Sequence, residues 1–199
     1  LVSIAFNIGR IKHNPKSWIK STIDITVNSL IYRKKILEQY HTEDFKVFEL
    51  ITRELLGRNI WKYSEAYGKF KGCPFWSIDA LKLYETSKNK SLAKVANKLR
   101  HEHTYPQILL INKLKNLEEI NYKVVENLFK KYAVATVVTK EENEKLNSRD
   151  VGLRTATISD DNIWLRYNNK KFKIKIAMNR SKNLFFEYHK KDMLNAMVL

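Results

Sequence analysis

The sequence predicts an α+β protein, and three observations carry that expectation. Ser17 to Tyr67 places its apolar residues at helical spacing, Tyr132 to Thr139 is an uncharged β-branched run, and Phe172 to Ile176 alternates apolar residues with lysine. The architecture expected is a mostly helical N-terminal part, a central ββα-like core and a small basic C-terminal β-hairpin. The segments are 1–96, 97–150 and 151–199. No linker rich in Pro, Gly or Ser separates them, so one compact unit is an equal reading.

Along the chain, Leu30, Ile31, Lys34, Leu37 and Glu38 fall at three- and four-residue spacings, and Phe45, Phe48, Leu50, Ile51, Leu55 and Leu56 form a second helical stripe. Thr42 reads as the N-cap of that second helix, with acids following it. Lys69 to Pro74 is a break, and a helix resumes over Phe75 to Tyr84, capped near Ser77. Leu99 to Thr104 reads as extended, Pro106 starts a helix to about Lys115, and Asn121 to Lys131 is another. The run Tyr132 to Thr139 is the strongest strand. Thr139 caps a helix from Lys140 to Asn147 with Glu141 and Glu142 in its first turn, and Gly152 marks a turn.

Charge narrows the function classes. Lys plus Arg number 37 against 21 Asp plus Glu, a formal net charge of +16. Self-repulsion of that size does not help folding, so it points to a polyanionic partner. The excess is uneven. Arg58 to Arg100 carries a net +7 and Ile163 to Leu199 another +7, while Lys115 to Asp150 sums to zero. Nucleic acid is the expected partner, DNA ahead of RNA, and a palindromic target would suit a homodimer.

No membrane partner is expected: the longest stretches free of charge are nine residues, Leu1 to Gly9 and Thr104 to Asn112. The apolar start has neither the basic region nor the length of a signal peptide. A single cysteine, Cys73 in a turn, excludes an intrachain disulfide framework and reads as a structural or surface thiol. A cytoplasmic, reducing location follows as the expectation. Walker, dinucleotide-binding and Gly-x-Ser-x-Gly patterns do not occur.

The densest chemistry lies in Arg100-His101-Glu102-His103-Thr104-Tyr105-Pro106. On an extended segment the two histidines share one face and Glu102 takes the other. Two readings fit the residues: a general base or metal-ligand cluster, and a pair of partly buried, hydrogen-bonded core histidines. Asn143 and Asn147, spaced i, i+4, lie on one face of the helix after the strongest strand.

Glu102-His103-x-x-Pro106, with Val137 to Asn147, resembles the HNH, or ββα-metal, nuclease superfamily. The resemblance implies a metal-dependent endonuclease with His103 as general base. Glu102 and Asn143 would hold Mg²⁺ or Mn²⁺, with Asn147 as a third ligand; His101 is the alternative base. It covers 99–147, about a quarter of the chain, and two helices stand where the family has a compact hairpin. Zinc-knuckle cysteines are absent, and the family's middle asparagine has no clear counterpart.

Lys98 and Arg100, with Lys170, Lys171, Lys173 and Lys175 on the C-terminal ribbon, are the candidate phosphate contacts. The aromatics from Trp61 to Tyr84, interleaved with lysines, read either as core or as base-stacking groups. Beside the endonuclease stand two alternatives: a non-catalytic nucleic-acid-binding protein, and a basic interaction or inhibitor module for an acidic protein.

Overall fold

A computed structural model describes residues 14–39, 44–148, 160–169, 172–178 and 188–194. Helices α1 (Pro15–Gln39) and α2 (Asp44–Ser64) pack together and lead to strand β1 (Phe75–Ser77) and helix α3 (Ile78–Glu85). A short helix α4 (Leu92–Val95) precedes β2 (Leu99–His103). Then come α5 (Gln107–Lys115), α6 (Tyr122–Tyr132), β3 (Ala135–Thr139) and α7 (Lys140–Asn147). A 3₁₀ turn at Ile163–Tyr167, the two-residue strands β4 (Asn168–Asn169) and β5 (Phe172–Lys173), β6 (Ile176–Met178) and a final helical turn over 188–194 complete it. The fold is α+β.

The main sheet has the order β2-β3-β1-β6. β2 and β6 run antiparallel to their neighbours, and β1 lies parallel to β3. Its strands come from all three sequence segments, and one core joins residues of all three, among them Leu56, Tyr63, Phe75, Phe129, Val138 and Trp164. β4 and β5 form the separate C-terminal hairpin.

Most elements form where local pattern places them. Thr139 closes α7 with a capping box: its side chain accepts from the Glu142 N–H, and Glu142 accepts from the Thr139 N–H. Asn121 caps α6 by accepting from the Val124 N–H at 2.9 Å. Pro106 stands at the N-cap of α5. In α1, Thr22 and Thr26 hydroxyls bond back to the carbonyls four residues earlier, and Thr26 also accepts from Asn59 of α2 inside the core.

The structure corrects the sequence in the segment after the break. The helix expected from Phe75 begins only at Ile78, with Ser77 as its cap; Phe75–Ser77 is strand β1, buried at every position. Three residues covered on both faces show no alternation, so nothing in their pattern separates strand from helix. Two boundaries also shift. Tyr132 ends α6 rather than opening β3, and the ribbon 172–176 breaks between Lys173 and Ile176 while keeping its alternation, Ile174 inward and Lys173 and Lys175 outward. Thr42, Gly152, Lys170 and Lys171 lie outside the described residues.

A tight crossing precedes β1. A Cβ on Gly72 would sit 1.6 Å from the Tyr67 carbonyl oxygen, and Gly68 has φ of +106°. Only glycine fits the first, and the second is a left-handed position that disfavours side chains.

No helix among the described residues is long and apolar enough to cross a membrane.

Candidate functional site

β2 sorts its side chains by face. Leu99 joins Trp76, Ala80, Val95 and Val137 in a small core roofed by α3 and α4. His101 and His103 follow on that face, buried against the end of α2: the Trp61 ring lies 5.3 Å from His101 and 5.0 Å from His103, edge-on to both. Glu102 takes the opposite face, where α7 packs.

There Glu102 meets Arg166. This arginine is 2% exposed. Its Nη1 donates to the Glu102 carboxylate and, at 2.9 Å, to the His103 carbonyl; its Nη2 donates to the Leu146 carbonyl of α7 at 3.3 Å. One guanidinium therefore ties β2, α7 and the C-terminal segment together. Burial raises the Glu102 carboxyl above the ordinary carboxylate range, and Arg166 pulls against that.

On the other face, the Ser64 hydroxyl donates to the Trp61 carbonyl at 2.8 Å, so its oxygen is left to accept. His103 Nε2 approaches that oxygen at 3.4 Å, which assigns the ring proton to Nε2. Among the described residues the Ser64 backbone is the polar group that approaches the His101 ring, without the geometry of a well-formed hydrogen bond. Burial pushes His101 down to about 3, helped by His103 and Lys69, and pushes His103 down to about 4, helped by Arg166. Both imidazoles are neutral at pH 7.

The implied nuclease groups are distributed as follows. His103 and Glu102, adjacent in sequence, sit on opposite faces of the sheet. On α7 the inward positions are Glu142 and Leu146; Asn143 is half-buried and Asn147 exposed. The Asn147 amide donates to the Asn143 carbonyl at 2.8 Å and to its side-chain oxygen at 3.3 Å. Glu102, the one carboxylate of the set, is already bound by a guanidinium. For this donor set to hold Mg²⁺ or Mn²⁺, the cation would have to displace Arg166 from the Glu102 carboxylate. Among the described residues no three His, Cys, Asp or Glu side chains cluster to hold a metal.

The basic candidates are more accessible. Lys98, Lys173 and Lys175 are exposed; Arg100 is half-buried with Nη1 donating to the carbonyls of Asn97 and Leu99. Lys173 and Lys175 line a depression with Lys82, Asp79 and Glu142. Cys73 is a buried structural thiol, donating to the Ala135 and Phe75 carbonyls and pushed up to about 12 by burial.

Arg166, Trp61 and Ser64 are the site residues that local motifs do not announce. Arg166 leaves one trace, a lone cation inside the apolar run Ile163-Trp164-Leu165-Arg166-Tyr167.

Compared with protein-family models, curated proteins and solved structures, the chain matches none.

Proposed function

We propose that this chain is a nucleic-acid-binding protein, and one observation carries the reading. The layer 69–100 that roofs the small core carries Lys69, Lys71, Lys82, Lys88, Lys90, Lys94, Lys98 and Arg100 against only Asp79 and Glu85. All seven lysines are exposed, and Lys82 alone has an ion-pair partner among the described residues, Asp79 at 3.9 Å. Elsewhere several acids are matched by cations of the protein itself: Glu49 by Arg33 and Lys115, Asp160 by Lys113, Glu126 by Lys130, Glu102 by Arg166. What faces solvent over this layer is uncompensated positive charge. A phosphate backbone is the polyanion that rewards such a surface by releasing condensed counterions. A cytosolic location goes with this reading, and a single, buried cysteine supports it.

The test is binding of a labelled oligonucleotide by wild type and by Lys88→Glu/Lys90→Glu/Lys94→Glu, three exposed positions outside any packed core. The reading expects tight binding at low salt and a loss of at least tenfold in the variant. Equal affinity, or no binding by wild type at 50 mM salt, overturns it.

Phosphodiester cleavage is a second reading, favoured by the order of elements: β2 and β3 are antiparallel and α7 packs on both. Its measurement is incubation of plasmid DNA and structured RNA with Mg²⁺ or Mn²⁺, comparing wild type with His103→Ala and His101→Ala. Cutting lost in one histidine variant supports it; intact substrate with wild type removes it.

A further inference from the structure

A groove of about 300 Å³ runs between α2 and α5, lined by Arg53, Arg58, Trp61, Gln107, Glu54 and Ile108 among others. Its volume is at the small end of ligand pockets, roughly 300–1,000 Å³. Arg53 and Arg58 are exposed, and neither has an ion-pair partner among the described residues. Between them along the groove the backbone is held by Gln107, whose amide donates to the Gly57 carbonyl at 2.6 Å, leaving the Gln107 side-chain oxygen as an acceptor. Trp61 is half-buried, its ring set edge-on to His101 and His103 behind it and Lys69 Nζ 5.6 Å from its centroid. An aromatic ring, two guanidinium groups with no ion-pair partner among the described residues, and an exposed lysine over the ring that can swing aside for an incoming base are what one nucleotide unit needs. The phosphate takes the fork of donors and the base takes the π-face.

We propose that the α2–α5 groove is a nucleotide subsite for single-stranded nucleic acid, with backbone phosphates on Arg53 and Arg58 and an unpaired base stacked on Trp61. The inference rests on the nucleic-acid reading above and adds the strand class. A base reaches Trp61 only when it is free of its pairing partner, so the site selects single strands over duplex. Glu54 and the Gln107 oxygen supply acceptors toward the base edge, and Lys69 extends the cationic path toward the layer 69–100.

The experiment is a pair of titrations with a 12-mer single strand and the matched duplex, at several salt concentrations, following anisotropy and tryptophan emission. The proteins are wild type, Arg53→Gln/Arg58→Gln, Trp61→Phe and the Lys88/Lys90/Lys94 charge reversal. Wild type is expected to bind the single strand more tightly and to lose tryptophan emission on binding. Arg53→Gln/Arg58→Gln, altered only at exposed positions, should lower the salt slope by about 1.4, since each phosphate contact on a single strand contributes roughly 0.7. Trp18 is 40% exposed, so the emission titrations are run in a Trp18→Phe background; there Trp61→Phe should abolish most of the quench, because Trp76 and Trp164 are buried. An unchanged slope in the arginine variant, or a quench that survives in Trp61→Phe, overturns the subsite. If the lysine variant alone loses affinity, the subsite falls and nucleic-acid binding stands. If wild type binds neither strand form, both fall.

Discussion

Arg166 and Glu102, 64 positions apart, form a buried ion pair that also fixes the backbone of β2 and α7. The pair lies under the α7 side of the sheet while His101 and His103 lie under the other. The segment Arg100 to Pro106 is thus held by opposite chemistries on its two faces, an ion pair on one and neutral rings packed edge-on on the other.

Removing the arginine alone strands a carboxylate and two carbonyls. Arg166→Met is expected to destabilise the fold by roughly 3–5 kcal/mol, the usual penalty for breaking a buried pair from one side. Adding Glu102→Leu should restore part of that loss, the remainder belonging to the His103 and Leu146 carbonyls. Urea unfolding of the two single variants and the double variant measures the coupling. Strict additivity would contradict the pairing.

Acid should unfold the protein through its histidines. His101, His103 and His189 are buried, and burial depresses all three, to about 3, 4 and 4. The folded state keeps them neutral while the unfolded state takes up protons below about 6.5, so stability falls as pH drops from 6.5 toward 4. Each histidine contributes about 1.4 kcal/mol per pH unit once well below its unfolded value. Melting curves between pH 7 and 4.5 check the slope, and His189→Gln should reduce it by about one third. A flat profile would show that the rings are not held neutral.

Glu142 is asked to do two jobs. Its Oε2 accepts from the Thr139 N–H at 2.8 Å and from the Ser77 hydroxyl at 2.5 Å, while Ser77 in turn caps α3. Thr139→Ala should cost about 1 kcal/mol, as a lost N-cap does. Glu142→Ala should cost more, because it also unties α7 from the start of α3. Chemical denaturation ranks the two, and the reverse order would contradict the shared role.

Gly72→Ala is expected to prevent proper folding of the turn before β1. The added carbon would overlap the Tyr67 carbonyl, a backbone group with no rotamer to yield. Soluble yield and near-ultraviolet circular dichroism check this against Gly57→Ala. At Gly57 a Cβ meets the Gln107 side chain at an ordinary 3.4 Å.

These relationships divide by sequence distance. The Thr139 cap with its acids and the extended segment of β2 were legible because each is written within a few residues: a polar cap three positions from its acid, or alternation along five residues. The sidedness of His101, Glu102 and His103 followed from the strand period alone. β1 was not legible, since Phe75, Trp76 and Ser77 are covered on both faces and carry no period. Arg166 was invisible as a partner of Glu102 because a contact across 64 positions leaves no local pattern. Sequence separation likewise hid the packing of Trp61 on the histidines. The resemblance of Glu102-His103-x-x-Pro106 to a metal-nuclease motif carried no information about that arginine.

The most direct measurement of the central claim is the salt dependence of oligonucleotide binding by the intact chain, from 50 to 300 mM. The account predicts a linear fall of log affinity with log salt, with a slope of magnitude about 4 or more, reflecting at least about six phosphate contacts on a single strand from the layer 69–100 and the α2–α5 groove. It also predicts that the Lys88, Lys90 and Lys94 charge reversal flattens the slope. No binding at 50 mM, or an affinity indifferent to salt, would contradict it.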